Sequence, residues 1–175
     1  MSADSLIINT PRLALRPLTV PLIEAFLAPD LDRVRELAGG VAPANPIPPL
    51  MDDALPYTRD WLVEHGRETT WAWYALDTAT RRIVAMGGLG FGPDERGVAF
   101  LGYSVYPAFE RRRYATELAR ALVEWGLARD DVGAIEATIP PDHVASIRVA
   151  ERAGLRLAGT GVDDEVGEVL VSRVE

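Results

Sequence analysis

No cysteine, lysine or glutamine occurs in the 175 residues. Without cysteine there is no disulfide framework, thiolate nucleophile, zinc ribbon or iron–sulfur cluster. Without lysine there is no Walker-type phosphate lysine. Histidine is scarce: His65 and His143 are the only two, far apart in the chain and outside any HExxH pattern, so no metal site is expected. Positive charge is also short. Eighteen basic residues, all Arg, face 26 acidic ones, for a formal charge of -8. Non-specific nucleic-acid affinity comes mostly from neutralising phosphates, so nucleic acid is not expected as a direct partner. The uncharged stretches Val41–Met51 and Ile83–Pro93 carry Pro or Gly and fall well short of the roughly 20 apolar residues of a membrane span. The first residues lack the basic-then-apolar layout of a signal peptide. A soluble cytoplasmic protein is the expectation.

Apolar residues make up 48% of the chain, enough for a substantial core. With no internal repeat or linker, residues 1–175 read as one domain. Arg12–Leu18 alternates as a strand. Pro21–Ala28 and Leu31–Ala38 have helical spacing, the second capped by Asp30. Five prolines between Val41 and Pro56 predict an ordered loop, and Ala54–His65 resumes helix before Gly66. Trp71–Leu76, Arg82–Phe91 and Val98–Tyr106 predict an antiparallel meander. Trp71 and Trp73 fall on the same side of the first of these strands.

The strongest helical stripe follows. From Arg113 to Arg129, Leu118, Ala121, Leu122 and Trp125 repeat at i, i+3, i+4 and i+7. Ile135–Ile139 reads as a strand, Asp142–Ala153 as a short helix, and Leu155–Thr160 with Val169–Val174 as a closing strand pair. The expected fold is therefore mixed α/β: a mostly antiparallel sheet with helices on both faces and one crossover, from Val98–Tyr106 through the long helix to Ile135–Ile139.

Three consecutive arginines, Arg111, Arg112 and Arg113, sit where that helix begins. Cations are disfavoured at a helix N-terminus, which already carries partial positive charge. An anion would reverse the sign: free backbone amides, the helix dipole and guanidinium forks together make a phosphate site. The alternative is a solvated basic turn paired with Glu110 and Glu117.

The stretches GYSVYPAFERRRYATEL and PDHVASIRVAERAGLRL, with the opening TPRLALRPLT, resemble the GNAT superfamily of acyl-CoA N-acyltransferases. The branch they resemble includes the ribosomal-protein alanine N-acetyltransferases. This resemblance implies a splayed central sheet, acetyl-CoA as acyl donor, no metal, and an amine acceptor. Tyr103, Ser104 and Val105 match the splayed strand that pairs with the pantetheine arm, with Tyr106 as a neighbouring cofactor contact. A backbone N–H at Tyr103 or Ser104 would face the thioester carbonyl as an oxyanion donor. Glu110 to Ala115, including Arg111, Arg112, Arg113 and Tyr114, match the pyrophosphate loop, and Thr116 follows in the first helical turn. His143 stands where the family usually has Asn, and Ser146 matches a Ser placed to protonate the departing thiolate. The family often forms dimers, which leaves a homodimer open.

Three departures from that pattern stand out. Glu110 occupies the usual Arg or Gln position. Arg113 replaces a Gly; at φ > 0 this costs roughly 1 kcal/mol, and in a helical conformation it costs nothing but space. Phe100 stands where many relatives carry a Glu. With that Glu absent, His143 is either a base or a cofactor contact, and a water relay is also open. His65, before Gly66, reads as a helix-capping or surface residue. GGLGFG at Gly87–Gly92 imitates a dinucleotide fingerprint but leads into a hairpin turn, not a helix. Asp52, Asp53 and Asp60 near the proline-rich loop would suit a cationic amine. The leading expectation is an N-acetyltransferase acting by direct attack in a ternary complex, on a protein N-terminus or a small cationic metabolite. An acyl-CoA-binding sensor without turnover and a partner-binding domain without cofactor are the alternatives.

Overall fold

A computed structural model describes residues 6–67 and 69–175. Its elements are β1 (Ile8–Asn9), β2 (Leu13–Thr19), α1 (Val20–Leu27), α2 (Leu31–Ala38), α3 (Ala54–Glu64), β3 (Thr69–Asp77), β4 (Ile83–Gly88), β5 (Val98–Phe100), β6 (Gly102–Val105), α4 (Tyr114–Leu127), β7 (Ala134–Ile139), α5 (Val144–Arg152), β8 (Arg156–Asp163) and β9 (Gly167–Val174). The mixed α/β class matches the expectation. The mostly antiparallel, splayed sheet that the resemblance implied is also met, the splay dividing the strands into two hydrogen-bonded sheets, ordered β1-β2-β3-β4-β6 and β5-β7-β9-β8.

The division falls inside the stretch expected to be one strand, Val98–Tyr106. Its first half, β5, runs parallel to β7, and its second half, β6, runs antiparallel to β4. Leu101 is the switch. Its amide donates to Glu136 O of β7 at 2.8 Å, while Tyr106 N, just past β6, donates to Val84 O of β4 at 3.2 Å. Alternating side chains tell a strand from a helix but do not say which neighbour each residue pairs with, so the sequence pattern runs through Leu101 unbroken. Past Phe100 the two sheets diverge, and β6 and β7 are left as the walls of a splay.

Helix α4 spans that splay from below. Of its predicted apolar stripe Leu118, Ala121 and Leu122 are buried and Trp125 is half-buried, and Ala119 and Val123 are buried beside them. It lies against β4, β6, β7 and α5. Trp125 meets Trp71 and Trp73 edge-on at 4.9 and 5.0 Å, so the two same-side tryptophans of β3 do share one partner. Gly87 permits the close approach, since a Cβ there would sit 2.9 Å from Gly102 O and 3.1 Å from Leu118 Cδ2. The GGLGFG run is thus a packing requirement of β4 and its turn.

On the other face, α1 packs on α2 and α3. Asp30 caps α2 by accepting from Arg33 N at 3.0 Å, and Gly39 closes it in the left-handed region at φ 63°. His65 ends α3, its Nδ1 2.8 Å from Trp61 O and its ring stacked on Trp61. The proline-rich loop is held at both ends of its first half. Val41 bridges to Arg82, and the buried Tyr106 hydroxyl donates to Pro46 O at 2.6 Å.

Candidate active site

The splay opens into a cleft of about 590 Å³ lined by β6, the loop that follows it, the start of α4, and one face of α5. Strand parity decides which backbone groups face it. Amides alternate sides along a strand, and Tyr106 N points to β4, so Ser104 and Gly102 point there too. Tyr103 and Val105 therefore turn their N–H groups away from β4 and into the splay, in step with Leu101, which reaches β7. Of the two oxyanion donors named from the sequence, the Tyr103 amide faces the cleft and the Ser104 amide is used in the sheet. Ser104 is buried and also lines the cleft.

Across the cleft stands α5. The Tyr103 hydroxyl lies 3.0 Å from Ser146 Oγ and 3.1 Å from Ser146 O, so two residues separated by 43 positions meet in one polar pair. Burial pushes the Tyr103 phenol up from its ordinary value, only partly countered by its hydrogen bond to Ser146, so it stays protonated at neutral pH. His143 is the exposed residue preceding α5, lines the cleft, and makes no side-chain capping bond.

The floor is the loop into α4. Arg111 and Arg113 both lie in the left-handed region, at φ 61° and 65°, and both line the cleft with Glu110, Tyr114, Ala115 and Thr116. Arg113 thus adopts the costlier of the two conformations considered for it. The solvated-turn alternative required Glu117 to pair with these arginines, and it does not. Glu117 Oε2 accepts from Arg12 Nε at 2.7 Å and its Oε1 from Thr10 Oγ1 at 2.6 Å. Among the described residues, none of Arg111, Arg112 and Arg113 has a carboxylate partner.

Two residues expected at the cofactor sit elsewhere. Tyr106 is turned by strand parity to the opposite side, where it is buried and holds the proline-rich loop. Arg112 lies with its guanidinium 5.7 Å from the Phe109 ring, and its carbonyl accepts from Arg12 Nη1; it does not line the cleft. Tyr114 lines the cleft only from the first residue of α4. Its hydroxyl points into the core and donates to Asp77 Oδ2 at 2.7 Å. Asp60 pairs with Arg59, and neither it nor Asp52 nor Asp53 reaches the cleft.

Arg148, Val149 and Arg152 also line the cleft and were missed. Their signal was present: with Ala145 they repeat at helical spacing, one face of α5 turned to the splay. Pro49 and Leu50 of the proline-rich loop close the near end. A larger cavity of about 830 Å³ adjoins the cleft, sharing Arg113, Thr116 and Arg152 with it, but its central polar groups, Thr10, Arg12 and Glu117, are bonded to one another. The smaller cleft holds the unspent donors. Free amides, a helix start and unpaired guanidiniums can bind an anion, and the paired hydroxyls can pass a proton to an atom between them.

Comparison with known proteins agrees with this reading of the fold. Residues 12–156 match the family model described as an acetyltransferase (GNAT) domain. The uncharacterized N-acetyltransferase YjdG of Bacillus subtilis (strain 168) is 30% identical over 154 residues, covering 86% of this chain and 90% of that protein. Among solved structures, a GNAT-family acetyltransferase from Bacillus anthracis superposes with a TM-score of 0.65 at 18% identity, over 96% of this chain and 97% of that one. The ribosomal alpha-N-protein acetyltransferase RimL, in complex with coenzyme A, gives 0.66 at 17% identity, with coverage of 96% and 97%. The family model and the Bacillus subtilis relative carry the assignment, and the two structures show the shared fold: the chain belongs to the GNAT acetyltransferase family and is an acetyl-transferring enzyme.

Proposed function

We propose that the splay binds acetyl-CoA and that the enzyme transfers its acetyl group to a primary amine by direct attack, without an acyl-enzyme. The observation that carries this reading is the pair of sheet amides, Tyr103 N–H and Val105 N–H, turned into the cleft with no strand among the described residues to receive them. A pantetheine arm carries amide groups that can complete such a strand edge, and a thioester carbonyl at Tyr103 N–H would gain a donor as its oxygen becomes negative. Arg111, Arg113 and the amides opening α4 would receive the phosphates; RimL, of similar fold, is named in complex with coenzyme A. The exposed Glu110 weakens that cradle without closing it.

When the amine attacks, the C–S bond breaks and the thiolate needs a proton. Ser146 Oγ is placed to give one, taking a replacement from the Tyr103 hydroxyl it already touches. His143, at the open side, is the candidate to accept the proton the amine loses. No Cys is available to carry the acetyl group, so both substrates must be held together. Residues 1–175 would act as one domain in this scheme, and with the chain in the cytoplasm a protein N-terminus or a small cationic metabolite would be the acceptor. Calorimetric titration with acetyl-CoA, followed by thiol release across a panel of amines and N-terminal peptides, tests the reading. Saturable binding and amine-dependent release are expected. Absence of binding at millimolar acetyl-CoA would overturn it, and binding with no release for any acceptor would favour a sensor.

A further inference from the structure

Ser104 carries a polar group that the protein itself does not use. The residue is 7% exposed and lines the cleft, and its hydroxyl bonds to nothing among the described residues. A buried hydroxyl without a partner is costly, so one that persists in a folded chain needs a reason. The oxygen is not sealed off, however. Among the described residues the side-chain atoms both sealed and unpartnered belong to Arg16 and Arg129, not to Ser104. Its hydroxyl is thus open to whatever enters the cleft.

The sheet register shows which way Ser104 faces. It pairs with Met86, and Met86 with Tyr74, whose hydroxyl reaches Ala38 of α2. These side chains therefore share the α1–α3 face of the five-stranded sheet. Tyr103, one residue earlier, takes the opposite face and meets Ser146 there. Since β6 ends its sheet, the cleft wraps around that free edge, with the Tyr103–Ser146 pair on one side and Ser104 on the other. The proline-rich loop is held on the Ser104 side by Tyr106, which has the same strand parity, and Pro49 and Leu50 form its part of the cleft wall. They are the centre of a tight turn closed by Met51 N donating to Pro48 O at 3.2 Å, with Leu50 at φ 65° in its third position. A left-handed third position is ordinarily glycine or asparagine, so this leucine is kept against local preference. Packing does not account for it, because Leu50 is 78% exposed.

We propose that Ser104 and Leu50 form the acceptor half of the active site. The Ser104 hydroxyl accepts an N–H of the attacking amine, and Leu50 with Pro49 covers an apolar group next to that amine. This rests on acetyl-CoA occupying the splay, and it names the class of acceptor. With the thioester oxygen at Tyr103 N–H, Ser104 lies one residue away, about 3.3 Å of strand. The entering nitrogen and the departing sulfur bond the same carbon from different directions. A sulfur served by Ser146 on one face leaves the other face, that of Ser104, to the amine. The nitrogen lone pair forms the C–N bond as the carbonyl electrons move onto oxygen. Their return breaks the C–S bond, and sulfur leaves with that electron pair and takes its proton from Ser146. The surplus proton on nitrogen leaves by the open side of the cleft, where His143 stands; Ser104 only orients the N–H. Among the described residues the one carboxylate lining the cleft is Glu110, in the phosphate loop, so nothing on the Ser104 side suits a second positive charge. The acceptor is accordingly a single primary amine beside a small apolar group, not a polyamine.

Steady-state kinetics and calorimetry test this with two acceptor probes, alaninamide and putrescine. Wild-type enzyme should release thiol with alaninamide and little with putrescine. Ser104→Ala should lower kcat/KM for alaninamide about 5- to 10-fold, mostly through KM, the usual worth of one hydrogen bond. Acetyl-CoA affinity and melting temperature should not change, because the lost hydroxyl bonds neither the donor nor the protein. Leu50→Gly should also raise KM for alaninamide at unchanged melting temperature, since it takes an exposed side chain from a turn that suits glycine. Wild-type kinetics in either variant would overturn the proposal. So would weaker acetyl-CoA binding by Ser104→Ala at unchanged acceptor KM, which would give the hydroxyl to the donor. Release confined to putrescine, or none with either probe, overturns the acceptor class. All of these leave acetyl-CoA in the splay; only a wild-type enzyme that binds no acetyl-CoA removes both readings.

Discussion

Arg113 is the residue where local strain and proposed function meet most directly. Its left-handed backbone suits glycine, and a non-glycine residue held there costs roughly 1 kcal/mol. Arg113→Gly should relieve that strain while adding freedom to the unfolded chain, and the two effects nearly cancel. Urea denaturation is therefore expected to show stability unchanged to within about 1 kcal/mol. Acetyl-CoA affinity should nevertheless fall and its salt dependence flatten, since a guanidinium has left the proposed phosphate site. Equal affinity and an equal salt slope would remove Arg113 from phosphate binding. Ser146 divides binding from chemistry in the opposite way. Ser146→Ala should lower kcat by about 10²-fold, the usual reach of a positioned proton donor, with acetyl-CoA affinity nearly unchanged by calorimetry. Unaltered kcat would take Ser146 out of the proton path.

At the scale of elements, the decisive event is the transfer of one chain segment between two sheets at Leu101. It creates the cleft; the resemblance implied a splayed strand there, but no residue pattern marked Leu101 as the point of transfer. The helices were readable because their causes are local: the Asp30 cap, the Gly39 and Gly66 ends, and the 3.6-residue stripe of α4 lie within a few residues of what they control. The loop into α4 could be picked out as a candidate site because its motif is contiguous, and Tyr103 and Ser146 because each belongs to a recognisable stretch, although no spacing announced that their hydroxyls meet. Tyr106 and Arg112 could not be placed, since their directions depend on sheet pairing and on the Arg12–Glu117 bond, both set by distant residues. The same closeness of elements makes Gly87 a sharp test. Gly87→Ala puts a methyl against Gly102 O and Leu118, so β6 or α4 must move. A loss of about 1–3 kcal/mol is expected from denaturant unfolding, together with weaker acetyl-CoA binding as the splay shifts. A fully stable variant with normal binding would show that this packing does not hold the cleft walls.

For the whole molecule, α4 is tied to the five-stranded sheet at its start by two carboxylates, and that joins stability to pH. Burial pushes the Asp77 carboxyl up, but hydrogen bonds from Tyr114 and Thr80 outweigh it and hold it below the usual range. Burial likewise raises Glu117, and bonds from Thr10 and Arg12 overcome it in the same direction. Both groups therefore bind protons more weakly folded than unfolded. The stability they contribute is fully present above the unfolded carboxylate pKa values, near 4, and is lost as pH falls through the lower folded values. Melting temperature should thus drop on acidification below about pH 4.5, as α4 loses its hold on β2 and β3. Asp77→Asn and Glu117→Gln together should lower melting at pH 7 by several degrees, given about 1–2 kcal/mol per charged hydrogen bond and about 2–4 °C per kcal/mol at this chain length. They should also flatten the acid limb, because the groups that took up protons are gone. Tyr114→Phe separates position from charge. It removes the donor to Asp77 and so raises that carboxyl toward its ordinary value, which moves the onset of acid unfolding to higher pH. If all three proteins lost stability in parallel between pH 5 and pH 3, the acid sensitivity would reside elsewhere and the start of α4 would not be the coupling point.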